Sequence, residues 1–263
     1  MEFFDSHSHY NDEKFDKDRE EIIKQTFEDG ITKFICAGYD IESSKKSVEI
    51  AKKYPYIYSI CGISPNDVPK KIEDIDANVQ EIEKLLIEDK QNIVAVGEIG
   101  LDYYWNKENK NIQKQLFIKQ IELANKYNLP IVIHTREAVD DTIAIIKENN
   151  VLNKGVFHCC PLNRELVKQA LKLGFYISFA GPITFKNSKN AREIVNMVPL
   201  DKILIETDSP YLAPEPKRGT RNNSINVKII AQKIAEFKDI TVEEVAKATY
   251  NNASSIFAKI SQK

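Results

Sequence analysis

The sequence lacks the features that mark several classes of protein. None of its apolar runs approaches the ~20 residues that a membrane-spanning helix needs. The N-terminal stretch Met-Glu-Phe-Phe-Asp-Ser-His has neither the basic segment nor the long apolar segment of a secretory leader. The four cysteines, Cys36, Cys61, Cys159 and Cys160, show no Cys-x-x-Cys spacing. We therefore expect a cytoplasmic protein with reduced thiols and no membrane partner.

The sequence also lacks an excess of basic residues. Its 37 Lys and Arg against 39 Asp and Glu give a net charge of −2, which argues against tight non-specific binding to duplex nucleic acid. This charge is compatible with an enzyme that binds phosphates locally, because bound cations can supply the local positive charge. With 42% hydrophobic residues and only 9 Gly and 10 Pro, the composition is that of a globular protein. We expect one domain spanning residues 1–263.

Eight short apolar runs recur along the chain, each followed by a helix-like stretch. Most runs are continuously apolar rather than alternating, which is typical of strands buried on both faces in a parallel sheet. The runs are Phe3–Asp5, Lys33–Ala37, Ile57–Gly62, Ile93–Gly97, Ile131–His134, Gly155–His158, Phe175–Phe179 and Lys202–Glu206. Eight strand–helix units without a linker predict a closed (β/α)₈ TIM barrel, with an open doubly wound sheet as the alternative.

The helix-like stretches carry their own signals. Residues 17–29 stop at Gly30, residues 112–127 carry an apolar stripe, and residues 163–173 stop at Gly174. Residues 224–260 are predicted to form two helices, the second starting at a capping box in Thr241-Val242-Glu243-Glu244.

All four histidines lie at the predicted C-terminal ends of strands, where barrels of this kind place their active sites. Two carboxylates share that placement. The six residues are His7, His9, Glu98, His134, His158 and Asp208. His7 and His9 are two residues apart, so in an extended chain both imidazoles face the same side and can converge on one ion.

Each of these residues taken alone has a structural alternative. A strand-end histidine often bonds to backbone, Glu98 could form an ion pair, and Asp208 could cap a helix. The joint placement of all six favours a metal site. Four imidazoles and two carboxylates exceed the needs of one tetrahedral ion, so we expect two divalent cations. Imidazole ligands favour Zn²⁺, iron, Mn²⁺ or Co²⁺ over Mg²⁺.

Five motifs together resemble the TatD family of metal-dependent deoxyribonucleases, in order and at family-like spacing from residue 3 to about residue 223. They are Asp5-Ser6-His7-Ser8-His9, Ala95-Val96-Gly97-Glu98-Ile99-Gly100-Leu101-Asp102-Tyr103-Tyr104, Pro130-Ile131-Val132-Ile133-His134-Thr135-Arg136-Glu137-Ala138, Phe157-His158-Cys159 and Leu204-Ile205-Glu206-Thr207-Asp208-Ser209-Pro210-Tyr211-Leu212.

This resemblance implies a (β/α)₈ fold related to amidohydrolases and hydrolysis of phosphodiester bonds in DNA. We expect DNA as the partner, as single strands or strand ends. It also implies a division of ligands. His7, His9, Glu98 and Asp208 would hold one metal, while Glu98, His134 and His158 would hold the other. The family is described as magnesium-dependent, whereas the ligand chemistry above also admits Mn²⁺, Co²⁺ or Zn²⁺.

The chain departs from the family pattern at three places. Ser64 stands where the family commonly has the histidine of Gly-Ile-His-Pro. Cys160 follows His158-Cys159 where the family often has Phe-Ser-Gly, and Asn223 stands where it continues with Glu-Pro. All three lie where substrate is expected, so they bear on substrate identity more than on metal binding.

Residues near the predicted site have two interpretations. Arg136, Arg218 and Arg221 are predicted to bind phosphate, with a solvated loop as the alternative for residues 217–221. Tyr103, Tyr104 and Trp105 could stack on bases, although at least one is expected to pack beneath a loop. Cys159 and Cys160 are expected to be buried thiols or a wall of the site.

The predicted mechanism is attack on phosphorus by a hydroxide held between two metals, with Asp208 accepting the proton of the water. The family resemblance implies that Glu98 bridges the two metals. A 3′–5′ exonuclease is favoured, and no protein partner is predicted. Three alternatives are a hydrolase of carboxylic esters, amides, lactones or other phosphoesters, a non-catalytic metal-binding barrel, and a metal-free barrel such as a sugar-phosphate isomerase.

Overall fold

The computed structural model describes residues 1–258. The predicted last helix ran to residue 260, so its final two positions, like residues 261–263 of the expected domain, lie outside the described residues. Within the part that the structure describes, no helix has the length and apolar character needed to cross a membrane.

Eight parallel strands follow one another around the sheet in chain order. They are β1 (Phe3–Ser8), β2 (Ile31–Ala37), β3 (Ile57–Cys61), β4 (Ile93–Asp102), β5 (Ile131–Arg136), β6 (Gly155–Phe157), β7 (Tyr176–Phe179) and β8 (Ile203–Ile205). All eight predicted strands are present, and a parallel bridge between Ser8 and Ser209 brings the two ends of the sheet together. The predicted (β/α)₈ barrel is confirmed, and the open sheet is wrong.

Helices cover the outside of the sheet. They are α1 (Arg19–Glu28), α2 (Ile41–Lys53), α3 (Ile75–Glu88), α4 (Lys110–Lys126), α5 (Val139–Glu148), α6 (Arg164–Lys172), α7 (Ala191–Met197), α8 (Val227–Lys238) and α9 (Val242–Ile256). The capping box predicted at Thr241 and Glu244 begins α9. The final stretch is therefore two helices, as its sequence signals predict.

The barrel interior is filled at the end where the strands begin. Phe4, Ile60 and Leu204 belong to an apolar cluster that also contains Ala253 and Phe257 from the C-terminal region. The rings of Phe4 and Phe257 lie 6.5 Å apart. α9 and Phe257 therefore pack against this end of the barrel, and barrels of this type carry their sites at the opposite end.

Two strands are irregular at the point where they carry polar side chains. The register of β1 against β2 shifts between Asp5 and Ser8, and that of β4 against β5 shifts between Val96 and Ile99. Such irregularities redirect side chains and occur next to active sites. The two shifts lie where His7 and Glu98 occur, so they redirect the residues that the sequence singled out.

Gly100 is required by the close approach of β4 to β5. Its φ is +140°, and a Cβ atom there would lie 2.0 Å from the carbonyl oxygen of His134. Only glycine has no side chain to meet this contact. Gly100 pairs with His134 in the ladder between β4 and β5, which places His134 against the strand that carries Glu98.

Candidate metal centre

The six residues predicted as metal ligands meet at the carboxyl end of the barrel. His7 lies on β1, Glu98 on β4 and His134 on β5. His9 and His158 directly follow β1 and β6, and Asp208 is the third residue after β8. Five strands therefore contribute to one pocket, although their residues are up to 201 positions apart in the chain.

One group of ligand atoms is formed by His7, His9 and Asp208. The Nε2 atoms of the two histidines lie 3.2 Å apart. Oδ1 of Asp208 is 3.2 Å from His9 Nε2 and 3.8 Å from His7 Nε2. The three side chains offer donor atoms close enough to one another to hold a single metal ion.

A second group is formed by His134, His158 and Glu98. His134 Nδ1 and His158 Nε2 are 3.3 Å apart, and both face Oε1 of Glu98, at 2.9 Å and 3.2 Å. Oε2 of Glu98 faces the first group instead, at 3.4 Å from His7 Nε2 and 3.9 Å from His9 Nε2. The two oxygens of one carboxylate thus point to two different sets of histidines.

The spacing of these atoms fits metal coordination. Ligands about 2.0–2.1 Å from a tetrahedral ion lie roughly 3.3 Å from one another. Within each group the histidine nitrogens lie 3.2 Å and 3.3 Å apart. Two unprotonated imidazole nitrogens at this distance repel each other unless a proton or a cation lies between them. The donor set therefore suits divalent cations in both groups.

Hydrogen bonds on the outer nitrogens set which nitrogen of three histidines faces the pocket. Nδ1 of His9 donates to the carbonyl oxygen of Ala37 at 3.0 Å. Nε2 of His134 donates to Asp102 at 3.0 Å, and Nδ1 of His158 donates to Glu206 at 3.3 Å. These bonds hold one proton on the outer nitrogen, so the inner nitrogen is the one that can bind a metal once the histidine is neutral.

The charges in the pocket favour cations. Burial raises the pKa of Glu98, but the neighbouring histidines outweigh burial and hold that pKa well below its usual range. Burial lowers the pKa of His158, but Glu98 and Glu206 outweigh it and raise that pKa well above its usual range. Without metal, a proton on His158 compensates part of the charge of these carboxylates. Metal binding would displace that proton, because a histidine ligand must be neutral.

Asp102 and Glu206 have orienting roles that the sequence analysis did not assign. Both are almost fully buried, with exposed side-chain fractions of 0% and 1%, and each accepts a hydrogen bond from a predicted ligand. The feature of the sequence that could have indicated this role is the presence of a carboxylate at the end of β4 and directly after β8. Their partners are 32 and 48 positions away, so sequence spacing alone did not reveal the pairing.

Replacing Asp102 by Asn is expected to weaken metal affinity by about 10- to 100-fold, as loss of an orienting partner of a histidine ligand typically does. Isothermal titration of the metal-free protein with Mn²⁺ measures this. Asp141→Asn is the matched control, because Asp141 also accepts a hydrogen bond from a buried side chain, Tyr103 Oη, at 2.6 Å. Equal affinities for the two variants, at similar melting temperatures, would contradict the orienting role of Asp102.

The three arginines predicted to bind substrate differ in their surroundings. Arg136 lies over the ring of Tyr104 with its Cζ 3.8 Å from the centroid, and Arg218 lies 4.3 Å over the ring of Phe185. Arg221 instead donates both terminal nitrogens to the carboxylate of Asp18. Binding of phosphate by Arg221 would require this ion pair to open, which makes Arg221 the weakest of the three predictions.

Tyr103 and the two cysteines take structural positions. Tyr103 is 6% exposed and donates to Asp141, so at least one residue of the aromatic cluster packs beneath its loop, as expected. The Cys160 side chain is buried. Cys159 donates its backbone N–H to Glu206, and burial with the nearby charge of Asp208 raises the pKa of its thiol well above the usual range. Neither thiol is set up as a nucleophile.

The three departures from the family pattern also have partners in the structure. Ser64 Oγ donates to Asp67 at 2.6 Å, and the Cys160 thiol donates to the carbonyl of Pro161 at 3.3 Å. Asn223 caps the short turn before α8 by accepting the N–H of Ile225 at 3.1 Å. Each substituted residue therefore stabilises the local loop conformation.

Comparison with known proteins identifies the family. The model described as TatD related DNase matches residues 4–258. The chain belongs to this family. It is 40% identical over 255 residues to the uncharacterized metal-dependent hydrolase YabD of Bacillus subtilis strain 168, covering 97% of this chain and 98% of that protein. It is 34% identical to the uncharacterized metal-dependent hydrolase YcfH of Escherichia coli K12, covering 98% and 96%.

Solved structures of the TatD family agree with the fold. The crystal structure of YJJV, a TatD homologue from Escherichia coli K12, superposes with a TM-score of 0.90 at 25% identity, covering 97% of this chain and 98% of that one. The predicted resemblance is confirmed, and the chain is a metal-dependent hydrolase of the TatD family with a cluster that could bind metal.

Proposed function

We propose that this TatD-family hydrolase cleaves phosphodiester bonds of DNA with two divalent cations, as a 3′–5′ exonuclease acting on single strands or strand ends. The observation that carries the proposal is the orientation of Glu98. Its Oε1 faces His134 and His158 while its Oε2 faces His7 and His9. A carboxylate so placed can bridge two ions, and paired ions suit displacement at phosphorus.

The ligand assignment follows from the two groups. His7, His9 and Asp208 would hold one cation, His134 and His158 the other, and Glu98 would contribute one oxygen to each. Bound there, the cations would supply a water of lowered pKa and stabilise negative charge on the phosphoryl oxygens. The resemblance to the family favours Mg²⁺, and the imidazole-rich set also suits Mn²⁺, Co²⁺ or Zn²⁺.

Asp208 is the residue proposed to accept the proton of the attacking water. Its Oδ1 is directed at His9, whereas its Oδ2 makes no hydrogen bond within residues 1–258. A free carboxylate oxygen beside the ligand atoms is in position to take a proton. Asp208 itself adopts a left-handed backbone conformation with φ of +55°, which Asp tolerates better than most residues.

Arg136 and Arg218 are proposed to hold the substrate's phosphates. Within the described residues neither guanidinium has a carboxylate partner, unlike that of Arg221. An unpaired guanidinium presents a planar fork of N–H donors that matches phosphate oxygens. Arg136 lies on β5, two residues beyond His134, so it is the better placed of the two for the phosphate that is cut.

Removal and return of metal tests the proposed function. Protein stripped with a chelator is expected to lose hydrolysis of a single-stranded oligonucleotide and to regain it with Mg²⁺, Mn²⁺, Co²⁺ or Zn²⁺ added singly. Release of a 3′-terminal label before a 5′-terminal label would support the proposed polarity. Parallel assays with a p-nitrophenyl phosphodiester and an aryl carboxylic ester show which bond is cut. Turnover of the carboxylic ester alone would refute DNA hydrolysis.

A further inference from the structure

Two exposed aromatic side chains stand at the rim of the pocket, directly after β4. Tyr104 is 46% exposed, and Trp105, at 69%, is the most exposed of the large hydrophobic residues described. Their rings meet edge to face with centroids 4.8 Å apart. The guanidinium of Arg136 lies 3.8 Å over Tyr104 and 5.4 Å from the centre of Trp105. The rings of Tyr104 and Trp105 and the unpaired guanidinium of Arg136 therefore lie side by side at the rim of the pocket.

The aromatic pair is held at a fixed position relative to the metal centre. Oδ1 of Asp102 accepts the backbone N–H groups of Tyr104 and Trp105 at 2.9 Å and 3.1 Å. Oδ2 of the same carboxylate accepts Nε2 of His134 at 3.0 Å. One buried side chain thus anchors both the aromatic loop and a proposed metal ligand.

The same loop is braced from behind by helix α4. Gln113 accepts the backbone N–H of Asp102 at 2.8 Å, and its own amide donates to the carbonyl oxygens of Asp102 and Asn106, both at 3.0 Å. These contacts hold both ends of the segment 102–106. The exposure of Trp105 is consequently not the result of a loose loop, and its ring is pre-positioned for a ligand.

Arg136 differs from most of the other arginines of the chain. Arg19, Arg164, Arg192 and Arg221 all donate to protein carboxylates or carbonyls. Within residues 1–258, no such partner is present for Arg136, which lies over aromatic rings instead. Stacking on the rings orients the guanidinium but requires none of its N–H donors, so these donors stay available to hydrogen-bond an anion.

We propose that Tyr104 and Trp105 form a stacking subsite for the unpaired base next to the phosphate that is cut, with Arg136 contacting that phosphate. The inference rests on the proposed phosphodiesterase function and specifies its substrate. An unpaired base can present a free face to an aromatic ring, whereas a base inside a duplex is stacked on both faces. Because every base has such a face, the subsite implies single-stranded substrate with little preference for sequence.

Two single-stranded substrates that differ only in the presence of their terminal bases test this subsite kinetically. Trp105→Ala is expected to lower kcat/KM about ten-fold on a single-stranded oligonucleotide, the effect of losing one stacked base. On the matched oligonucleotide whose terminal residues are abasic, the same variant should behave as wild type. Trp105→Phe should retain most of the activity on the base-bearing strand. Phe27→Ala, which removes a 40% exposed aromatic from helix α1, is the control and should change neither rate.

A binding measurement gives a second, independent readout, because Trp105 is the only tryptophan in the sequence. In the Glu98→Gln variant, which is expected not to cut the strand, a base-bearing oligonucleotide should quench the tryptophan fluorescence to saturation. The abasic strand should leave it unchanged. Equal quenching by the two strands, or an equal loss of kcat/KM on both in Trp105→Ala, would overturn the subsite.

Different experimental results would refute the subsite and the proposed function. Cleavage of both strands by the wild-type protein, with no difference between them in Trp105→Ala, would refute the subsite and leave the phosphodiesterase standing. Absence of cleavage of either strand, with every divalent cation tested, would refute the phosphodiesterase itself.

Discussion

Replacing Glu98 by Gln is expected to reduce DNA hydrolysis at least about 1,000-fold, since several kcal/mol of charge stabilisation are lost. Glutamine has the same shape but no charge, and only one of its terminal atoms is an oxygen. It cannot serve both the His7–His9 pair and the His134–His158 pair, each of which faces one oxygen of Glu98. Steady-state assays at saturating Mn²⁺, together with metal analysis of the purified variant, measure the effect.

The matched control for Glu98→Gln is Glu137→Gln. Glu137 follows β5 at the same end of the barrel, and its side chain is 53% exposed. The control should retain wild-type activity and metal content. Wild-type hydrolysis by Glu98→Gln, or two bound ions in that variant, would contradict a bridging role for this carboxylate.

Asp208→Asn is expected to lower kcat by about 100- to 10,000-fold, the range in which a positioned proton acceptor contributes. The amide oxygen can still face His9, so at high metal concentration the site should fill. The lost function is then acceptance of the water's proton. Measuring kcat across a series of Mn²⁺ concentrations separates this effect from weaker metal binding.

Asp201→Asn is the control for Asp208→Asn, because Asp201 is an exposed aspartate in the turn before β8. It should behave as wild type at all metal concentrations. Full recovery of kcat in Asp208→Asn at saturating Mn²⁺ would show that Asp208 acts only as a ligand and would refute its role as proton acceptor.

The sequence predicts the barrel because the strands are buried on both faces. β3 and β4 are buried at every position, and this produces the continuous apolar runs from which they were recognised. The ends of strands were less predictable. β4 continues to Asp102 rather than stopping at Gly97, because the ladder with β5 resumes at Ile99 after the register shift. A polar residue such as Glu98 inside a strand obscures that continuation.

The proximity of the six predicted ligands follows from their common position after strands, which the barrel converts into one pocket. Contacts between side chains from distant segments are harder to predict from the sequence. Asp102 and Glu206 belong to sequence motifs that resemble the family. Their bonds to His134 and His158, however, depend on the packing of β4 against β5 and of β6 near β8. Likewise, nothing near Arg221 in sequence indicates its pairing with Asp18, 203 positions away.

Anomalous scattering from crystals grown with Mn²⁺ shows directly how many ions the pocket holds. We expect two peaks in the pocket. One should lie among His7, His9 and Asp208 and the other among His134 and His158, with one oxygen of Glu98 directed at each. A single peak, or no peak within reach of these side chains at saturating Mn²⁺, would contradict a two-metal centre.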